Sequence, residues 1–308
     1  MRARIGIDDF NSEEVLMHSH STSRDFIVLD IPQIKCIIAK VPEHFISSEM
    51  TGLCIEFRDE EIAKLDNKLL SDLRHFVEFL FGVQFYYYGY SILSDEELIE
   101  ALLDSPDIPL KPQPPMPPIH YNFEYQWGNI QLQLNKLLVP YLDLQKKLSL
   151  NHAIDRLWIA LAIPVGVNLP ILAGALEIVA GKYLTMTGNV KLEYLPQKEY
   201  EDLIAEEVLS LTAKLSEITD SAIIINKLKG AFRKGSNEKI NLFLSLLGLE
   251  IEKQEKAAIN LRNKMTHGNR DYSNDNKAHD DVVLSRVYHV LFNRIILKIL
   301  GYEDYYID

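Results

Sequence analysis

Near the C-terminal end of the chain, Arg262 and His267 stand five residues apart in Leu261-Arg262-Asn263-Lys264-Met265-Thr266-His267-Gly268, with Asn263 directly after the arginine. This set of side chains suits cleavage of a phosphodiester in RNA. Histidine moves a proton on or off the 2′-hydroxyl or the leaving oxygen, and a guanidinium binds the charged phosphorane oxygens with its fork of donors. DNA lacks the internal nucleophile. Asn263 precedes His267 by four residues, so on a helix its carboxamide reaches the imidazole and helps set its tautomer. Gly268 is suited to the left-handed residue that closes a helix, which leaves His267 in the last turn, where the helix dipole favours imidazolium. Arg262 and His267 are about 140° apart around such a helix, too far to clasp one small group directly. Two helices meeting across a two-fold axis solve this. The ordinary reading stands beside it, because Arg-x4-His spacing occurs often by chance.

The same helix sorts its other residues. With Leu261 set at zero, Ala257, Ala258 and Met265 fall within about 60° of it and form the expected buried stripe. Lys256, Asn260, Asn263 and His267 make a polar row on another side, and Arg262 sits near 100°, outside the stripe. Lys256, Asn260, Lys264 and Arg270 are the candidates for holding an RNA strand.

A net charge of −12 argues against nucleic-acid binding by the chain as a whole. The distribution is uneven: between Lys227 and Arg270 ten basic residues face four glutamates, a local balance of +6 against −18 elsewhere. A solvated face is the plainer explanation of such an excess. The two cysteines, Cys36 and Cys54, lack C-x-x-C spacing, which suggests neither a disulfide framework nor a thiolate zinc site and fits a reducing, cytosolic compartment. No apolar leader stands at the N-terminus, so no secretion is expected. The most apolar stretch, Leu157 to Ala180, is interrupted by Pro164, Gly166, Asn168, Pro170, Gly174 and Glu177 and reads as two buried helices rather than a bilayer span. No metal or other cofactor is expected. His18-Ser19-His20 has no third ligand in view and reads as a loop, and His279-Asp280-Asp281 as the start of the last helix. Trp127, Trp158 and the tyrosines from Tyr86 to Tyr90 are capable of stacking on bases, although packing explains them more cheaply.

The elements that must position these residues divide the chain. A proline-rich run from Ser105 to Pro118 reads as a semi-rigid linker. Before it, Phe26–Ile31, Ile34–Ala39 and Cys54–Phe57 look like strands, and Asp66 to Phe81 like a helix ended by Gly82. An aromatic strand over Phe85–Tyr90 follows, and Ser94-Asp95-Glu96-Glu97 carries the cap pattern of a short helix ending near Leu103. After the linker the pattern is helical throughout, with helices expected near Asn129–Leu148, His152–Ile163, Leu169–Leu184, Lys198–Ile218, Glu238–Leu247, Ile251–His267 and Asp280–Leu300. In the third of these Leu169, Leu172, Leu176, Val179 and Tyr183 share one face. The fold class expected is α+β, with a mixed α/β domain over 1–110, a linker over 111–120 and an all-α bundle over 121–308.

Leu261 to Gly268 at the end of a late helix resembles the Arg-x4-6-His motif of HEPN domains, in which a polar residue commonly follows the arginine. The Ile154–Leu161 helix, the Ala175-Leu176-Glu177 helix and a final helix after the motif resemble the Apea-like branch of that group. Phe79-Leu80-Phe81-Gly82 before an aromatic strand is similar to the upstream region of some such proteins. The resemblance covers about residues 128 to 308. It implies a metal-independent endoribonuclease, often of phage-defence or toxin systems, in which Arg262 and His267 of both subunits of a homodimer line one cleft. Family members can also be inert. The alternatives are therefore a non-catalytic HEPN module that dimerises or binds RNA, and an adaptor docking an acidic partner such as a cognate antitoxin or defence-system protein. Glu177 is expected either to support the site or, more simply, to form a buried structural ion pair.

Overall fold

In the computed structural model, residues 26–40, 53–57, 66–85, 89–94, 97–103, 116–119, 127–164, 167–188, 190–218, 220–266 and 275–303 are described. They form five strands, β1 (Phe26–Ile31), β2 (Ile34–Lys40), β3 (Leu53–Phe57), β4 (Gly89–Ser94) and β5 (Glu97–Leu103). The helices are α1 (Asn67–Phe81), α2 (Trp127–Leu148), α3 (Leu150–Ala162), α4 (Leu169–Thr187), α5 (Gln197–Lys214), α6 (Ser221–Lys229), α7 (Ser236–Leu246), α8 (Lys253–Thr266) and α9 (Asp275–Ile299). The class is α+β, mostly helical. The chain makes two compact units, one of residues 1–145 with 300–308 and one of residues 146–299.

In the first unit β1, β2 and β3 make an antiparallel sheet in that order, with Ile31 opposite Ile34. Pro32 and Gln33 thus form a two-residue turn, and along β1 Ile27, Leu29 and Ile31 are buried while Asp30 is exposed, the alternation of a half-buried strand. Helix α1 is capped by Asp66, whose carboxylate accepts from the Leu69 N–H at 2.6 Å. It ends at Gly82, at φ +62°, where a Cβ would stand 2.0 Å from the Met116 backbone. Only glycine fits there. The Gly82 carbonyl accepts from the Met116 N–H at 2.9 Å, so the end of the proline-rich run is tied to this point. Helix α2 belongs to the same unit through residue 145. Asn135 brackets β1, accepting from Asp30 N–H at 2.8 Å and donating to the Val28 carbonyl at 3.3 Å. Tyr141 meets Phe76 of α1 with ring centres 5.2 Å apart.

The segment after Ser94 differs from expectation. Residues Glu97–Leu103 form strand β5, antiparallel to β4 with Ser94 opposite Glu97, instead of a short helix. A helix of seven residues barely exceeds its nucleus, whereas pairing with β4 satisfies the backbone along the whole segment. Of the aromatic strand expected over Phe85–Tyr90, Phe85 lies outside β4, Gly89 and Tyr90 belong to it, and residues 86–88 lie outside the described residues.

The second unit is helical. Helix α4 packs against α3, α7, α8 and α9, and α8 packs against α9. Among the described residues α4 alone is long and apolar enough to cross a membrane by length and composition. Its burial of Leu169, Leu172, Ala173, Ala175, Leu176, Val179, Ala180 and Leu184 is that of a helix surrounded by other helices. Tyr183 is half-buried and meets the Phe243 ring of α7 at 5.2 Å. Helices α5 and α6 pack on each other and bury little: no α5 side chain is buried, and α6 buries only Ile225. This hairpin is tied at its base by the Glu193–Arg233 bridge and by Tyr200, whose hydroxyl donates to the Leu228 carbonyl at 2.7 Å. Helix α6 had no separate place in the expected order, because three consecutive isoleucines show no helical period.

Candidate functional site

Helix α8 opens with the Glu255 carboxylate accepting from the Glu252 N–H at 2.8 Å. Among its described side chains, Glu255, Ala258, Ile259, Leu261 and Arg262 are buried, while Lys256, Ala257 and Asn260 are exposed. At 100° per residue this core arc is centred about 80° from Leu261, close to the direction of Arg262. The expected stripe is therefore rotated. Ala257 lies in solvent and Arg262 points into the bundle, because the helix brings its two inward charges to opposite charges on neighbouring helices. Glu255 meets Arg294 of α9, whose other nitrogen donates to the Glu250 carbonyl at 3.4 Å.

Arg262 meets Glu177 of α4, Nη1 to Oε1 at 2.7 Å, with 4% of the arginine side chain exposed against 44% of the glutamate. Its Nη2 donates to Ser236 Oγ at 2.8 Å and to Asn237 Oδ1 at 3.1 Å, both in the first turn of α7. The Ser236 hydroxyl donates in turn to the Glu177 carboxylate. Three helices thus close one polar network. A fourth, α9, adds the buried Tyr288 beside the Arg262 guanidinium. Burial raises the Tyr288 pKa far above that of an ordinary phenol; the nearby Arg262 guanidinium opposes the rise and Glu177 adds to it. The phenol stays neutral. One position further on, burial holds the His289 imidazole down to a pKa of about 4, and Nε2 lies 3.3 Å from the Asn293 carboxamide nitrogen.

On the other side of α8, Lys256, Ile259 and Asn260 join Asn237 and Asn241 of α7 around an open cleft of about 290 Å³. Asn237 therefore belongs to both places, accepting from Arg262 and lining the cleft.

Of the residues singled out in the sequence, Glu177 and Arg262 are brought together, and Lys256 and Asn260 line one cleft. Asn263 and Lys264 lie in the last turn of α8, with side chains outside the description, and His267 and Arg270 lie outside the described residues. So do His18 and His20, whereas His279 is exposed in the first part of α9. Ser236, Asn237, Asn241 and Tyr288 were not foreseen. Gly235-Ser236-Asn237-Glu238 does carry a helix-start signal, and the Gly235 N–H donates to the Glu238 carboxylate at 2.8 Å. Nothing in the local pattern linked that start to Arg262. Among the described residues no group of three or more His, Cys, Asp or Glu side chains is arranged to hold a metal ion. Comparison of the chain with family models, with curated proteins and with solved structures returns no match.

Proposed function

We propose that this chain is a metal-independent endoribonuclease of HEPN type, acting in the cytosol as a homodimer, in a phage-defence or toxin system. One observation carries the reading. Glu177 and Arg262, both singled out by residue type and far apart in sequence, meet at 2.7 Å, and Arg262 precedes His267 by five residues in the chain. Glu177 fixes the guanidinium, Arg262 offers positive charge to the phosphorane, Asn263 orients His267, and His267 moves the proton. The 2′-oxygen attacks phosphorus and the 5′-oxygen leaves with a proton, giving a 2′,3′-cyclic phosphate and a 5′-hydroxyl.

The burial of Arg262 favours a second reading, because its donors face protein acceptors and a phosphate must displace one of them to touch it. In that reading the chain is a non-catalytic HEPN module for RNA binding, dimerisation or the docking of an acidic partner protein. Cleavage of end-labelled RNA in EDTA separates the two. Cutting that leaves cyclic phosphate ends and disappears in both Arg262→Ala and His267→Ala supports the ribonuclease. Equal cutting by all three proteins overturns the assignment, and a stable monomer by light scattering removes the two-fold site.

A further inference from the structure

We infer that the cleft between α7 and α8 is a subsite for one unpaired nucleotide of a single-stranded RNA, with Arg262 setting the orientation of its Asn237 donor. The inference rests on the RNA reading above but not on catalysis. The cleft is lined by Asn237, Asn241, Asn260, Lys256 and the buried Ile259, so three carboxamide-bearing residues and one ammonium-bearing residue border it. Among the described residues no carboxylate lines it. At about 290 Å³ it stands at the lower limit of the roughly 300–1,000 Å³ typical of small-molecule sites, which suits a single nucleoside unit.

The chemistry of each wall follows from its groups. A carboxamide presents donors and an acceptor side by side and matches the edge of a base, which is open to it only when the base is unpaired. Ile259 gives the ring an apolar floor, and exposed Lys256 gives the adjoining phosphate a mobile positive charge. Asn237 is the fixed member. A guanidinium only donates, so the Asn237 oxygen must face Arg262, and its NH₂ is turned the other way. The buried arginine thus acts as a positioning residue that holds a donor ready at the cleft, at no ordering cost when the base arrives.

The test uses the full chain carrying His267→Ala and a fluorescein-labelled single-stranded RNA nonamer of mixed sequence, read by anisotropy over a range of salt. Asn241→Ala and Asn260→Ala, both at exposed positions, are expected to weaken binding roughly 3- to 10-fold each. Lys256→Ala is expected to reduce the slope of log affinity against log salt by about 0.7. Asn237→Asp keeps an acceptor for Arg262 and removes the donor, so it weakens binding at least as much while the melting temperature holds. The same sequence as a duplex binds more weakly. Unchanged affinity in all four variants, equal binding of the duplex, or no binding by the parent overturns the subsite. Cleavage by the native protein is measured in parallel. Cutting with unaffected binding in the variants sinks the subsite and leaves the ribonuclease, whereas variant-sensitive binding without cutting sustains the subsite within the non-catalytic reading.

Discussion

Helix α8 sends two charged side chains into the bundle, and the two ion pairs they make have opposite distributions of burial. At its start the acid is the buried partner, with 6% of the Glu255 side chain exposed against 20% of Arg294. At its other end the base is buried and the acid reaches solvent, 4% against 44% for Arg262 and Glu177. The first pair is closed on both sides, as a structural clamp between α8 and α9 needs to be. In the second, a cation is held inside the protein by groups that themselves touch water, and one of them, Asn237, borders a cleft. A buried charge without its partner is costly, while a charge left near the surface hydrates. The two pairs should therefore respond differently to loss of either member.

The largest effect is expected from Arg294→Ala, which leaves Glu255 buried without its guanidinium and should cost about 3 kcal/mol in urea unfolding. A loss under about 1 kcal/mol would mean that the pair is already hydrated and would erase the contrast. Acid titration bears on the same comparison only once His289 is separated from it. Its native pKa of about 4 lies below the ordinary value of about 6.5, so between those values the unfolded chain holds a proton that the native chain does not. Stability from this group is complete above about pH 6.5 and lost as pH falls toward 4, by about 2 kcal/mol at pH 5. His289→Gln should flatten that part of the stability profile, and an unchanged profile would assign the loss to other groups.

Smaller changes are expected at the second pair. Glu177→Ala should cost about 1.5 kcal/mol, because Arg262 keeps Ser236 and Asn237 as acceptors. Arg262→Met removes the buried cation, leaves Glu177 to water and should cost below about 1 kcal/mol. The reverse order would show that the network is held by the arginine's packing and not by its charge.

Legibility followed the range of the interactions. Asp66, the Leu-rich face of α1 and Gly82 predict that helix from signals within about one turn of each end, and the β-branched runs on either side of Pro32 predict strands β1 and β2 but not their pairing. The Ser94–Glu97 pattern misled because a helix cap and a two-residue strand connection use the same small polar residues. Arg262 was given the wrong side of α8 because a polar residue was counted as outward, and only a carboxylate from another helix makes the inward position tolerable. Glu177 was recognisable as half of an ion pair. Its partner was not, since no local periodicity encodes a contact across three intervening helices.

The α5–α6 hairpin gives the network a polymer-statistical side. It begins after Glu177 and returns just before Ser236, so the hydrogen bond between those two residues closes a loop with a sequence separation of 59. Closure entropy grows only logarithmically, and halving such a loop lowers its cost by about 0.6 kcal/mol. Most of the excursion is thus thermodynamically cheap. Because α5 buries no side chain, its amides should exchange with deuterium well before those of α4. Replacing residues 195–230 with a short flexible connector should leave the α4, α7 and α8 amides protected. The hairpin is then a segment whose length can drift over evolutionary time while the contact it spans stays in place.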